Sequence, residues 1–471
     1  MKKLTILFIA LLGLGLATSV TGCISDDFTT SPSDLLEFSS DTVSFDTVFT
    51  DLGTPTARLK VYNRAKKSVN ISSIRFADPN TPFSFNVDGV SGTQFSDVEI
   101  RGGDSIFVFI ECYIPESSQN TPMLVEDKLE FVTNGVTQDV VVEAYGQNVI
   151  RMRGLTVDRD TTLTADMPYV VFDSITVAPG ATLRIEPGVN LLFHDKAKMT
   201  VHGRLEAVGT AERKINFRGD RLDNVLPDAG YDILAGQWGG VRFTEESFEN
   251  RMEYVNMRST VHGLQVDSCG NLDRRKLLLV NSWIHNSQSN AFESRYAWVD
   301  AYGCVFSEAA YAAVELTGGR HEFVQCTLSN YYLFSVPSMP LLSLFHLMPE
   351  DMEENPEPLM TARFQNCILY GMPADINVGD LTGSEVYLQY CSLKSPGDND
   401  DNFIECFWDT DPLFYTVRED YDFDYRVKED SPVIGIGNPL YVFDNEAYCL
   451  YDMDGLDRLS KGNPTLGAYS N

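Results

Sequence analysis

Three groups of side chains in this 471-residue sequence have the types and spacing to do chemistry. The first is basic: Lys214, Arg218 and Arg221 lie close together, and Asp273-Arg274-Arg275-Lys276 form a short run. A Lys or Arg held near its substrate can act as a base in proton abstraction. Lys214, Arg218, Arg274 and Lys276 are therefore the catalytic candidates, against the plainer reading of solvated loop charges. The second group is acidic. Asp398, Asp400 and Asp401 sit in one turn, and Asp452, Asp454 and Asp457 in another that contains Gly455. Oxygen ligands at alternate positions around a glycine suit calcium, the one cofactor suggested, although the second stretch lacks the closing bidentate Glu of a helix-loop-helix calcium site. Asp454 with Arg458 as a structural ion pair competes with Asp398, Asp400, Asp452 and Asp454 as metal ligands. The third group is aromatic: Trp238, Trp283, Trp298 and Trp408 are the tryptophans. Trp283 and Trp298 fall in neighbouring repeats and, if both face outward, make a stacking platform for sugar rings; burial is the competing reading.

These residues need a scaffold, and residues 150–410 supply a periodic one. Asn281-Ser282, Gly303-Cys304, Gln325-Cys326, Asn366-Cys367 and Tyr390-Cys391 are each followed by a large apolar residue two places after the Ser or Cys. The intervals are 22, 22, 41 and 24 residues. Such a period without a helical pattern predicts a parallel β-solenoid, one coil per repeat, with the recurring position facing inward. The 41-residue interval fits one coil carrying an inserted acidic loop, Pro349 to Pro358. Cys304, Cys326, Cys367 and Cys391 then form a column of core thiols about one rung apart, where strand geometry disfavours disulfides. The apolar stretch Leu341 to Met348 reads as an inward strand. Residues 36–149 differ: short alternating strands such as Ser105 to Ile110 and Asp139 to Ala144 are separated by Arg101-Gly102-Gly103-Asp104 and Thr133-Asn134-Gly135. That pattern predicts an antiparallel β-sandwich with Cys112 in its core.

The chain opens with Lys2-Lys3, an apolar run from Leu4 to Ala17, and Val20-Thr21-Gly22-Cys23. The run is short of the roughly 20 residues of a membrane span and has the form of a secretory signal. Val-Thr-Gly-Cys resembles the lipobox of bacterial lipoproteins, which implies cleavage of residues 1–22 and lipid on Cys23. Ile24-Ser25-Asp26-Asp27 resembles an acidic export tag, implying the outer membrane with the protein facing the exterior. Residues 23–35 are expected to be a tether. The formal charge is −31, and −33 once Lys2 and Lys3 leave with the signal. Such a surface excludes nucleic acid as a partner, disfavours polyanionic glycans, and leaves the membrane through the Cys23 lipid together with neutral polysaccharide or surface proteins.

Further resemblances refine the fold. Val61-Tyr62-Asn63, Ile100 to Ile110, Tyr113-Ile114-Pro115, Leu129 to Asn134 and Glu143 to Gly146 resemble, in order, the strands of Hydin-like immunoglobulin domains, which are mostly spacers or binding modules. Ile175 to Val189, Leu191-Leu192-Phe193, Met199 to Thr210, Ile215-Asn216-Phe217 and Trp238 to Phe243 resemble the opening coils of bacterial right-handed parallel β-helix proteins with the pectin-lyase-like fold. Asp411-Pro412-Leu413-Phe414, Asp424-Tyr425-Arg426-Val427, Ser431 to Gly435 and Leu466 to Tyr469 resemble their closing segment, expected over residues 411–471 at the lower end of the solenoid. The expected architecture is thus all-β: an immunoglobulin-like sandwich, a right-handed parallel β-helix and a C-terminal cap. The fold serves lyases, hydrolases, adhesins and inert surface proteins alike. The Asn-Thr-Asp, Asp-Asp, Gly-His-Gly and Arg-Ile-Lys motifs of polygalacturonases are absent from the sequence, and His202 and His262 each precede a glycine without the rest of the motif. The leading expectation is therefore a surface lipoprotein whose β-helix binds glycan or another surface partner. A polysaccharide lyase or glycoside hydrolase on the same flank, and a purely structural surface protein, are the alternatives.

Overall fold

The structure is a computed structural model that describes residues 27–118, 120–226, 229–346, 359–378 and 382–471. The signal peptide, Cys23, most of the export tag and the acidic insert from Pro349 to Pro358 lie outside the described residues. Among the described residues, no helix is long and apolar enough to cross a membrane. The chain divides into two compact units, Met1–Asn148 and Val149–Asn471.

In the first unit, alternation of apolar and polar residues produces two sheets that share one core. Ala57–Asn63, Ser105–Cys112 and Phe83–Val87 form the centre of a five-stranded sheet. Val136–Gln147, Met123–Thr133 and Val69–Phe76 form the centre of a six-stranded one. Pairing is antiparallel except where Thr42–Phe49 runs parallel to Val136–Gln147. Leu59, Val61, Val108 and Ile110 from one sheet meet Ile71, Ile74, Leu129 and Phe131 from the other, with Cys112 buried among them.

The second unit is a stack of parallel strands, compatible with a parallel β-helix. Ten strands, from Thr161–Leu163 to Phe403–Ile404, form one face, here called face A. The remaining seventeen-stranded sheet carries two interleaved series. Face B runs through Asn190–Phe193, Ile215–Gly219, Val255–Thr260, Trp283–Ser287, Val305–Ala309 and Thr327–Ser329. Face C runs through Lys198–Val201, Gly240–Phe243, Leu264–Val266, Phe292–Arg295, Val314–Thr317 and Leu342–Phe345. The corner between A and B is turned by Tyr254, Asn281, Gly303, Gln325, Asn366 and Tyr390, all at positive φ. Ser259, Asn286 and Glu308, also at positive φ, turn the corner between B and C.

Directly after each A–B corner the chain points a small side chain inward. Ser282, Cys304, Cys326, Cys367 and Cys391 are fully buried, and the four thiols are free. Cys326 and Cys367 belong to adjacent rungs, since Thr327 pairs with Ile368; the 41-residue interval is one coil with an insertion. Leu341, Leu342 and Leu344 are buried in the same core.

The closing segment differs in position from the expectation. Residues 411–471 pack along the flank of the stack instead of over its lower end. Phe414, Tyr425, Val433 and Leu466 cover Val305 and Ile368 on the outside of face B. Val442 and Cys449, from the short helices Pro439–Asp444 and Glu446–Cys449, cover Leu278, Val280, Tyr302 and Val324 on the outside of face A. The physical reason is that these outward strand positions are apolar and must be removed from water. Between the two patches the buried Arg458 donates to the carbonyls of Gly467 at 3.1 Å and Ala468 at 2.8 Å.

Candidate functional site

Strand periodicity places one polar column on the outside of face B. Because Phe217, Met257, Ile284 and Phe306 point into the core, their successors Arg218, Arg258, His285 and Ser307 point out. Register pairs Arg258 with His285 and His285 with Ser307 on consecutive rungs. Beside them a loop carries a 3-10 turn, Tyr231–Ile233. Asn286 Nδ2 donates to Ile233 O at 2.7 Å, Ser259 Oγ to Asp232 O at 2.7 Å, and Gln237 Nε2 to Tyr231 O at 2.7 Å. These bonds fix Asp232 with its carboxylate 2.6 Å from Arg258 Nη1 and 3.7 Å from Arg218 Nη1. Burial raises the Asp232 pKa, but the charges of Arg258 and Arg218 outweigh it and bring the carboxyl below its usual range.

The opposite wall comes from the closing segment, residues Asp420 to Phe423, with the Phe423 ring 5.2 Å from the His285 ring. Together these elements enclose a cleft of about 360 Å³ lined by Asp232, Ile233, Arg258, Trp283, His285 and residues 420–423. Trp283 donates its Nε1 proton to Ser307 Oγ at 2.7 Å, and the Arg258 guanidinium lies 5.4 Å from its ring.

His285 has a partner beneath it. Its Nδ1 lies 3.0 Å from Glu308 Oε2 and 3.0 Å from Ser307 Oγ. Nδ1 shares a hydrogen bond with Ser307 Oγ, which also accepts from Trp283, while Glu308 Oε2 lies within ion-pair distance of the ring. Among the described residues Nε2 has no protein partner. Burial pushes the imidazole pKa down, with Glu308 opposing.

The other residues singled out from sequence are dispersed. Lys214 Nζ lies 3.7 Å from Asp454. Arg221 pairs with Asp223 at 2.6 Å, and Arg274 with Glu249 at 3.2 Å. Lys276 is fully buried beneath a loop; its Nζ donates to Glu245 O at 3.0 Å and burial lowers its pKa. Trp298 belongs to face A, donates to Asp300 at 2.9 Å and lies under Arg320, so it shares no platform with Trp283 on face B. Trp238 is buried against Phe193, and Trp408 packs on Phe403. His202 lies 3.1 Å from Glu246, and His262 is exposed.

The carboxylates proposed for a metal are engaged elsewhere. Asp400 accepts from the backbone of Asn402 and Phe403, both at 2.8 Å, while Asp398 is exposed in the same turn. Asp452 accepts from the backbone N–H groups of Asp454 at 2.9 Å, Leu456 at 2.8 Å and Ser470 at 2.7 Å. Asp454 pairs with Arg426 at 2.7 Å, not with Arg458, whose donors serve the Gly467 and Ala468 carbonyls. Among the described residues no three His, Cys, Asp or Glu groups are placed to hold a metal ion.

Of the sequence candidates, Trp283 thus lines the cleft and Arg218 stands behind it, 3.7 Å from Asp232. Asp232, Arg258, His285 and Glu308 were missed. For His285 a signal existed: with Ile284 inward, strand alternation puts Trp283 and His285 on the same outer surface.

No family model matches the chain, and no curated protein does. Its likenesses among solved structures are weak and include glycoside hydrolases. A protein of unknown function from Porphyromonas gingivalis W83 shares 12% identity over 28% of this chain and 60% of its own, at a TM-score of 0.19. A family 123 glycoside hydrolase from Clostridium perfringens shares 10% identity over 25% of this chain and 30% of its own, at 0.18. The catalytic domain of a GH87 α-1,3-glucanase shares 8% identity over 74% of this chain and 87% of its own, at 0.15. The chain therefore spans less than two thirds of the first two, and none of the three is similar enough to carry a functional argument.

Proposed function

We propose that this chain is a surface lipoprotein anchored through Cys23, in which an immunoglobulin-like first unit precedes a right-handed β-helix that binds neutral glycan in the Asp232–Arg258–His285 cleft. The observation that carries the reading is the cleft itself. Asp232 is paired with Arg258 and Arg218, and Asp420 and Asp422 stand on the opposite wall, so the site offers planar hydrogen-bonding groups while repelling a polyanion. A few convergent polar groups beside an aromatic ring are what a sugar-sized ligand requires. The chain's charge of −31 favours a neutral ligand over a polyanion.

The test uses soluble protein beginning at Ser25 against immobilised neutral and acidic polysaccharides. Retention on a neutral polymer, weakened about tenfold by Asp232→Asn and by Trp283→Ala, is expected from loss of one charge-assisted contact or one ring. Retention on none, or retention indifferent to both changes, counts against the reading. Anchoring is tested separately: Cys23→Ser should abolish incorporation of labelled fatty acid in cells and release the protein from the membrane fraction.

A second reading, catalysis in the same cleft, is favoured by one feature. His285 is a buried imidazole whose Nδ1 lies 3.0 Å from Glu308 and whose Nε2 has no protein partner among the described residues. New reducing ends or the ultraviolet absorbance of unsaturated uronates, lost in His285→Ala, would establish it. Absence of both products across the panel would leave binding.

A further inference from the structure

The outside of face A carries a second concavity, formed from different residues. Glu322, Arg363 and Tyr387 stand in register on three successive rungs, and Gln365, Gln389 and Ile404 stand in register in the column beside them. The other wall is the helix Pro439–Asp444 with Asn445, which contributes Tyr441 and Asp444. The groove so enclosed measures about 550 Å³.

Its polar groups are ordered but not exhausted by one another. Gln365 Nε2 donates to Gln389 Oε1 at 2.7 Å, which aligns the two amides as a ladder along the stack. That single bond leaves Gln365 Oε1 and Gln389 Nε2, one acceptor and one donor, without protein partners among the described residues. Arg363 is neutralised by Glu385 at 3.1 Å, and Glu322 accepts from Tyr302 Oη at 3.1 Å. Burial and then the neighbouring Asp300 charge raise the Glu322 pKa. Tyr387 and Tyr441 are half-buried, so each offers part of a ring to the groove.

We infer that this groove on face A is a second carbohydrate site, one that takes a neutral polysaccharide running across the rungs, along the stack. Strands repeat about every 4.8 Å across a sheet, so Gln365 and Gln389 present an acceptor and a donor one rung apart to successive units of a polymer with a short repeat. The paired Arg363 offers no free cation to a uronate or sulfate, and Glu322 and Asp444 repel one. The inference shares the carbohydrate class of the first reading but rests on no residue of the face B cleft.

The experiment is affinity electrophoresis of the full soluble chain from Ser25 in gels containing xylan, β-glucan, mannan or polygalacturonate. Retardation by a neutral polymer is expected, weakened at least about fivefold by Tyr387→Ala and by Gln389→Ala, the scale of one lost ring contact or hydrogen bond. Tyr387→Phe should retain most of the binding, and the unfolding midpoint of each variant guards against misfolding. Trp283→Ala in the cleft should leave this component unchanged. No retardation by any neutral polymer overturns the inference, as does retardation by polygalacturonate alone. Retardation abolished by Trp283→Ala and untouched by Tyr387→Ala and Gln389→Ala overturns it too, while sparing the cleft on face B.

Discussion

The imidazole Nδ1 of His285 lies 3.0 Å from Oε2 of Glu308, and both side chains are almost completely buried. The other oxygen of Glu308 accepts from the backbone of Tyr331 at 2.9 Å and from the hydroxyl of Tyr425. One carboxylate therefore links a ring that lines the cleft to the segment that closes its far side. Glu308 occupies a corner at φ 49°, a left-handed conformation that a non-glycine residue holds only when its surroundings demand it.

Tyr425→Phe removes the hydroxyl and leaves a buried carboxylate oxygen with one donor fewer. The expected cost is about 1–3 kcal/mol. It should be concentrated in residues 411–471, because Tyr425 also packs against Trp283 and Phe414 there. Faster hydrogen exchange and proteolysis confined to that segment would bear this out. A uniform change across the chain would argue that Glu308 does not anchor the segment.

The thiol column gives a second expectation. Cys112, Cys269, Cys304, Cys326, Cys367, Cys391, Cys406 and Cys449 are buried and free. Burial pushes the Cys112 and Cys449 thiols up to about 12, so they stay protonated at pH 8. Protein beginning at Ser25 should not react with an aromatic disulfide reagent while folded. All eight thiols should react in denaturant without prior reduction. Any shortfall in the denatured count would reveal a disulfide.

The A–B corner gives a third. Gly303 has φ 64°, and a methyl group there would lie 2.2 Å from Asn281 Oδ1 and 2.9 Å from Arg458 Nη2. Gly303→Ala therefore combines a strained backbone with a clash against a buried guanidinium. A loss of roughly 2–4 kcal/mol in unfolding free energy is expected from these two costs together. The neighbouring Gln325, at φ 56°, shows that the corner tolerates a side chain only where that side chain is accommodated: its buried amide donates to the carbonyls of Thr465 and Gly467 and accepts from Asn366. An unfolding free energy left unchanged by Gly303→Ala would show that the corner is not packed as described.

The rungs were legible because their signal is local. A left-handed corner residue, a small inward residue and a large inward residue two places on recur within five residues, as in Gln325-Cys326-Thr327-Leu328. Even the 41-residue coil kept its two ends in phase, since an insertion between strands leaves the stacking unchanged. The cleft was legible only in Trp283 and in Arg218 behind it. Arg258 and His285 become neighbours through register, and Asp232 reaches them from a loop whose own sequence shows no motif. The far wall, residues 420–423, arrives from a segment whose position along the flank depends on which outward strand residues are apolar. Likewise Asp452 and Asp454 read as oxygen ligands by spacing, but nothing in the spacing says that backbone N–H groups and Arg426 claim them first.

His321 makes stability depend on pH in a direction that can be worked out. The ring is fully buried, Nε2 donates to Gly318 O at 2.9 Å, and Nδ1 has no partner among the described residues. Burial lowers its pKa to about 4, against about 6.5 in the unfolded chain. Above the unfolded value both states are neutral and the group contributes nothing to the pH dependence. As pH falls from there, the unfolded chain takes up a proton that the native state refuses, so stability is lost. The loss continues to about pH 4, where native His321 also titrates. Over the whole window it amounts to roughly 3 kcal/mol, because each unit of displacement corresponds to about 1.4 kcal/mol. His321→Gln should keep a donor for Gly318 and remove this dependence, so the difference in urea unfolding free energy between the two proteins should shift in favour of the variant as pH drops from 7 to 4.5. A difference that stays constant over that range would mean that His321 is protonated in the native state as readily as in the unfolded one.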